Sequence, residues 1–365
     1  MTWGRAWAWR RYVGKSGWSG LHAQAGHADR GQERADAKKA RSHQPLTLSV
    51  HLCIHYIHAT AQLAWAHPDF GPALAVAATD GSLSIWEQAK GDQPWRRAGG
   101  PWPVPGGADA ARPPPLAWAP PAHGPRLAAG GGDGVTRVYV GDALLGVGRA
   151  WELESECGGG EQARAAPVTA LAWRPTGEEE EGSSGNPPPP PPPSLPALPA
   201  LLATGTAGGD AAVWAYRPSL GIWARAAVLQ GGGGGAADAA GGGGGISALA
   251  WAPRLGRPTE LLASARPGAI SLHALAGPVD GPTVRPVATL PAPGAASGGP
   301  ADGVWALEFD AFGTWLAASL AGRVVGEGGG GEGGDAPPLP PPRVCLWRPT
   351  LAGRWELQGE VVAGQ

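Results

Sequence analysis

The sequence predicts an all-β fold, a β-propeller with five recognisable blades. Three observations carry that prediction. Short strand patterns recur in units of roughly 50 residues, the copies place tryptophans at matching positions, and most of the Gly- and Pro-rich material falls between the strands.

The cleanest copy is AWAHPDFGPALAVAATDGSLSIW, from Ala64 to Trp86. Leu63 and Trp65 share one face of a first strand. The turn through His67, Pro68, Asp69, Phe70, Gly71 and Pro72 is one that neither a helix nor a central strand would carry through. Leu74 to Ala78 forms a short apolar second strand. Asp80 and Gly81 then supply a tight hairpin turn, because glycine tolerates the positive φ such turns need and aspartate sometimes adopts it. Beyond it Leu83 and Ile85 alternate with Ser82, Ser84 and Trp86, the period of two expected of a strand.

Trp65 and Trp86 are 21 positions apart, and LAWAPPAHGPRLAAGGGDGVTRVY repeats that distance from Trp118 to Tyr139, with Asp133 and Gly134 at the turn. LAWRPTG and LLATGTAGGDAAVW form a third copy, containing Trp173 and Trp214 and split by an insertion. The fourth, LAWAPRLGRPTELLASARPGAISLH, runs from Leu249 through Trp251 to His273. The fifth joins VWALEFDAFGTWLAAS, with Phe309, to VCLW, ending at Trp347, across a second insertion. In the fourth copy Ala265 to Gly268 replaces the Asp-Gly turn, and in the fifth Leu320 to Arg323 does so. A further tryptophan, at Trp95, Trp151, Trp223 and Trp355, marks a fourth strand.

One small four-stranded sheet cannot bury both of its faces, so such sheets pack against one another. Large aromatics such as Trp65, Trp118, Trp173 and Trp251 are expected to fill the space between them. Trp86, Tyr139, Trp214, Phe309 and Trp347 are assigned the same packing role. Asp80 and Asp133 are read as turn-formers accepting from nearby backbone N–H groups.

The propeller is placed at 46–360. Its insertions lie near 178–199, where an acidic run leads into a polyproline segment, near 230–245, and near 326–343. Loop entropy grows slowly with length, so these insertions cost little. Residues 1–45 hold nine Lys or Arg against three acids, without the hydrophobic pattern of a folded unit. They read as a disordered extension or a mispredicted gene start, with a targeting peptide or an RNA- or lipid-contacting segment as the sharper readings. The apolar stretch LTLSVHLCIHYIHATAQLAW contains His51, His55 and His58, which argues against a membrane-spanning helix and for two strands flanking a turn near His58. His51, Cys53 and His55 fall at even strand offsets and would need further ligands in the right geometry to hold a metal, so strand spacing argues against a metal cluster.

The net charge of −2 argues against general nucleic-acid binding, and three separated cysteines indicate neither a disulfide framework nor a paired-cysteine zinc site. The GGGDG run at Gly130 to Gly134 lacks the Gly-Lys-Ser/Thr of a phosphate loop, and G-x-S-x-G, H-E-x-x-H and Cys-x-x-Cys motifs do not occur. An enzyme would have to assemble acid and base from the scattered Asp80, Asp133 and His123. The sequence thus assigns no catalytic, cofactor or metal residues.

LAWAHPDFGPALAVAATDGSLSIWE, ISALAWAPRLGRPTELLASA and VWALEFDAFGTWLAAS with VCLWRPTLAGRWELQGE resemble the Seh nucleoporin family of WD-repeat proteins, relatives of the Sec-type coat proteins. The likeness runs from about His58 to Leu357 and is most specific at Trp65 to Gly71 and Trp251 to Pro258. It implies an open or incomplete WD-repeat propeller, six-bladed in the family against five units here, completed by a blade donated in trans from an α-solenoid nucleoporin. It further implies a non-enzymatic scaffold role in the Y-shaped subcomplex of the nuclear pore, and in a membrane-associated SEA/GATOR complex. Direct nucleic-acid contact and a transmembrane segment are not implied. The expected partner edge comprises Val304, Trp305 and Leu307 with Val344 and Leu346, and the 47–58 strand is a weaker candidate. A WD-repeat adaptor, such as a vesicle-coat subunit or a ubiquitin-ligase substrate receptor, is the alternative.

Overall fold

A computed structural model describes residues 60–78, 80–88, 94–105, 113–142, 150–158, 166–176, 199–229, 244–254, 257–278, 281–291, 303–321 and 342–362. The chain divides into two units, 1–48 and 49–365, and every described residue belongs to the second. The readings of residues 1–45, of the 47–58 strand and of most of the three insertions lie outside the described residues.

The described chain is all-β apart from two single 3₁₀ turns, Pro68–Phe70 and Pro121–His123. Its strands form five four-stranded antiparallel sheets. The first contains β1 (Thr60–Trp65), β2 (Ala73–Ala78), β3 (Ser82–Glu87) and β4 (Arg96–Pro103). The second contains β5 (Leu116–Trp118), β6 (Arg126–Gly130), β7 (Val135–Gly141) and β8 (Trp151–Gly158). The third is built from β9 (Val168–Trp173), β10 (Leu201–Thr206), β11 (Ala211–Arg217) and β12 (Ile222–Leu229). The fourth has β13 (Ala248–Trp251), β14 (Glu260–Arg266), β15 (Ala269–Ala276) and β16 (Thr283–Pro291). The fifth has β17 (Gly303–Phe309), β18 (Leu316–Ala321), β19 (Arg343–Pro349) and β20 (Trp355–Val362).

Neighbouring strands follow chain order in every sheet, and the first strand of each sheet lies beside the first strand of the next, from β1 through β5, β9 and β13 to β17. This succession is compatible with a propeller-like fold.

One row of side chains crosses every sheet. A leucine on the second strand (Leu74, Leu127, Leu202, Leu262 or Leu316) pairs with an aromatic on the first: Trp65, Trp118, Trp173, Trp251 or Phe309. On its other side it pairs with Trp86, Tyr139, Trp214, His273 or Trp347 on the third strand. A ring on the fourth strand, or in the first sheet directly before it, stands edge-on to the first-strand aromatic in four sheets: Trp65–Trp95 at 5.6 Å, Trp118–Trp151 at 5.5 Å, Trp173–Trp223 at 5.4 Å and Phe309–Trp355 at 6.3 Å. In the fourth sheet the half-buried Val284 packs against the cluster that contains Trp251.

The first-strand tryptophans also join sheet to sheet. Trp118 Nε1 donates to the Ala64 carbonyl at 2.8 Å, Trp173 Nε1 to that of Ala117 at 2.9 Å, and Trp251 Nε1 to that of Ala172 at 3.0 Å. Each acceptor directly precedes the aromatic of the preceding sheet, so the bond fixes the register of the stack. The alternation in β3 therefore does not divide core from solvent. Leu83 and Ile85 are fully buried and Ser84, on the opposite face, is buried as well, because the third strand packs on both sides.

The turns show their chemistry directly. Asp80 Oδ1 accepts from the Ser82 N–H at 2.8 Å, and Gly81 has φ +80°. Asp133 Oδ1 accepts from the Val135 N–H at 3.1 Å, with Gly134 at φ +76°. The fourth sheet replaces Asp-Gly by Pro267-Gly268, with Gly268 at φ +84°, the Pro-Gly pairing that a type II turn demands. In the fifth, Leu320 and Ala321 still belong to β18, and residues 322–341 lie outside the described residues.

Candidate protein-interaction faces

The residue just before the third-strand member of each row points to the opposite face of its sheet. In the first four sheets this residue is Ile85, Val138, Val213 or Leu272, and each is 0% exposed because the next sheet covers it. The fifth sheet has Leu346 at that place, and Leu346 and Val344 are both half-buried. Among the described residues the fifth sheet thus presents an apolar face where the others present interior.

The first sheet ends the series on its other side. Leu74, Val76 and Trp95 are buried in a cluster with Leu63 and Trp86, which among the described residues draws on the first sheet and the residue leading into its fourth strand. Trp65 is 39% exposed, against 8% for Trp173 and 6% for Trp251.

The backbone edges lie elsewhere than Val344 and Leu346, which corrects that part of the sequence expectation. β19 is hydrogen-bonded to β18 on one side and to β20 on the other, so its residues offer side chains to a partner and no backbone edge. Val304, Trp305 and Leu307 sit on β17, which among the described strands pairs only with β18. Val304 is buried and Leu307 packs against the cluster shared with the fourth sheet, while Trp305 projects, 39% exposed, at a register shift between Val304 and Ala306. The outer edge belongs to β20, where Leu357 and Val361 are exposed. Sequence reasoning missed this strand as an edge, although Trp355 already marked it as the fourth and last of its sheet.

Asp80, Asp133 and His123, the groups an acid–base pair would draw on, do not converge. Asp80 and Asp133 stand at turns between second and third strands, whereas His123 lies in the turn between β5 and β6, at the opposite end of the second sheet. Burial raises the Asp133 carboxyl, but bonds from Arg137, at 2.8 Å, and from the Val135 N–H outweigh it and hold the pKa below the ordinary value. Burial, and then the Arg174 and Arg126 guanidinium groups, lower the His123 pKa to about 4, leaving a neutral ring. Burial pushes the Cys157 thiol up to about 12 and the Cys345 thiol up to about 11, so neither is a ready nucleophile.

His123 belongs to a polar seam. Arg126 donates to Glu154 at 2.7 Å and stacks over the Tyr216 ring of the third sheet at 5.4 Å. Arg174 of the third sheet meets Glu260 of the fourth at 3.3 Å, and Arg257 donates to the Phe312 carbonyl of the fifth at 2.9 Å. Each guanidinium reaches the following sheet, complementing the tryptophan N–H bonds that reach the preceding one.

Among the described residues no group of three His, Cys, Asp or Glu could hold a metal ion, and no helix is long and apolar enough to cross a membrane. His51, Cys53 and His55 lie outside the described residues. Family models of known proteins give no match to the chain, and no curated protein matches it.

Proposed function

We propose that this chain is a non-enzymatic scaffold subunit that works by presenting the end faces of an open series of WD-repeat blades to protein partners. The observation that carries the reading is the half-buried Leu346 and Val344, at places where the other four sheets are sealed. An apolar sheet face of that kind is completed by another sheet packed against it, and β20, which among the described strands pairs only with β19, offers that partner a backbone edge.

The resemblance of the Trp65–Gly71 and Trp251–Pro258 segments to the Seh nucleoporins supports one assembly for this role. In this reading the partner is an α-solenoid nucleoporin that donates a blade in trans. The complex is the Y-shaped scaffold subcomplex of the nuclear pore, supporting nucleocytoplasmic transport of protein and mRNA, with a second place in a SEA/GATOR-type nutrient-signalling complex. Membrane association comes only through those complexes.

The test is affinity purification of the full chain from its own cells, beside a Leu346→Asp variant. The reading expects a solenoid nucleoporin with the wild type and its loss from the variant. Recovery of the wild type as a monomer, or with ubiquitin-ligase or vesicle-coat subunits instead, overturns it.

A further inference from the structure

Successive sheets are joined by a repeated set of contacts, and the fifth sheet carries its own half of that set. The acceptors Ala64, Ala117 and Ala172 stand opposite Ala75, Ala128 and Ala203, one place before the row aromatic, and each takes the indole N–H of the sheet that follows. Glu308 holds that place in the fifth sheet, opposite Ala317 and directly before Phe309. Its carbonyl therefore occupies the position at which a following sheet's tryptophan donates.

A second contact comes from the start of the first strand. In the third sheet the register slips between Val168 and Ala170, so Thr169 is bulged out. Its hydroxyl is shared between the Gly205 carbonyl of its own sheet, at 3.3 Å, and the Ile246 carbonyl that leads into the fourth. The fifth sheet slips at the matching place, between Val304 and Ala306, and the residue bulged out there is Trp305. Val168 and Val304 are buried alike, yet Trp305 is 39% exposed. Pro114, Thr169 and Ser247 stand at the same distance before the row aromatic in the second, third and fourth sheets, and all three are smaller than an indole. A bulge re-aims a side chain. In the fifth sheet it turns a large ring with an N–H donor to the side on which Thr169 meets the next sheet.

We propose that Trp305 is the anchor that seats a partner's sheet on the fifth: the partner buries its ring and accepts its indole N–H, while the Glu308 carbonyl accepts a side-chain N–H in return. The occupant is thus a β-sheet of another chain, with an N–H donor on its first strand, as tryptophan is in this chain's own joints, and an apolar face for Val344 and Leu346. This anchoring rests on the scaffold reading and names the residue on which the choice of partner depends. Buried aromatic anchors of this kind carry most of the binding energy at protein interfaces.

Affinity purification of the full chain from its own cells, with the solenoid nucleoporin quantified by mass spectrometry, tests it alongside hydroxyl-radical footprinting. Trp305→Ala is expected to lower recovery of the nucleoporin at least about tenfold, and Trp305→Phe, which keeps a ring without its N–H, by a smaller factor. Phe312→Ala removes an aromatic that is 67% exposed in the turn after β17 and should recover as much as the wild type. Trp305 itself should be oxidised severalfold more slowly in the complex than in the isolated chain. A nucleoporin kept by Trp305→Ala but lost by Leu346→Asp overturns the anchor and leaves the scaffold reading standing, whereas a wild type that recovers none overturns both. Equal loss from Phe312→Ala places the partner on the turns and overturns the anchor. So does a Trp305 already protected in the isolated chain, at every concentration if the chain covers it or increasingly with concentration if a second copy does. If Trp305→Ala lowers the thermal midpoint of the isolated chain, Trp305→Phe and the wild-type footprint decide.

Discussion

Arg174 Nη1 and Glu260 Oε1 meet at 3.3 Å between the third and fourth sheets, with 3% and 11% of their side chains exposed. Arg174 also donates to the Pro199 carbonyl at 2.6 Å, and Arg254 stands 3.5 Å from the same carboxylate. Taking one partner from so buried a pair leaves a charge that water cannot reach. Arg174→Met is expected to cost about 3 kcal/mol, and the double variant Arg174→Met/Glu260→Leu less than Arg174→Met alone. Urea unfolding of the single and double variants checks the order. A double variant that loses more than the single would show that the pair contributes more than its desolvation costs.

Trp251 tests the bond that sets the stack. Trp251→Phe keeps a ring in place but leaves the Ala172 carbonyl without its donor, at an expected cost of about 1–2 kcal/mol. Trp251→Ala adds a cavity and should cost about 3–5 kcal/mol. Phe309 occupies the matching place in the fifth sheet, so a ring without an N–H is compatible with the row. Denaturation midpoints separate the two contributions.

The row itself was legible in the sequence, because aromatics recurring at matching strand positions around Ala-rich strands need the same packing surface in each copy. Trp95, Trp151, Trp223 and Trp355 marked the fourth strands in the same way. The distinction between edge and face was not legible. Val344 and Leu346 read as part of the exposed edge of an incomplete ring, but only the pairing with β18 and β20 shows that their backbone is occupied and their side chains are what remains. The polar seam was equally hidden. Arg174 and Glu260 are 86 residues apart, and no local pattern announces a contact between neighbouring sheets.

His123 predicts an acid-sensitive fold. Its pKa is lowered from 6.5 to about 4 by burial first and by Arg174 and Arg126 next. Between those values the unfolded chain takes up a proton that the folded chain refuses. The contribution is therefore complete above about pH 6.5 and is lost as the pH falls towards about 4. Allowing for the part-exposed ring, the loss should be about 2 kcal/mol. His123→Gln should flatten this part of the stability profile, and the difference between wild type and variant, measured by urea unfolding from pH 7 to pH 4, removes the contribution common to the carboxylates. A difference that stays constant with pH would place His123 in a solvated setting.

Ile85 and Leu346 occupy the same place in the first and fifth sheets, one at 0% exposure and one half-buried, and a serine at each should behave differently. Ile85→Ser loses a packed side chain and places a hydroxyl between two sheets, which should cost about 4 kcal/mol. Leu346→Ser removes apolar surface from a face that no described sheet covers, and its cost should stay within about 1 kcal/mol. Thermal unfolding of the isolated full chain measures both. If Leu346→Ser proves as costly as Ile85→Ser, the chain already seals that face by itself and no partner sheet is needed there. A near-neutral Leu346→Ser that also loses protein partners would mark the face as a surface kept for binding.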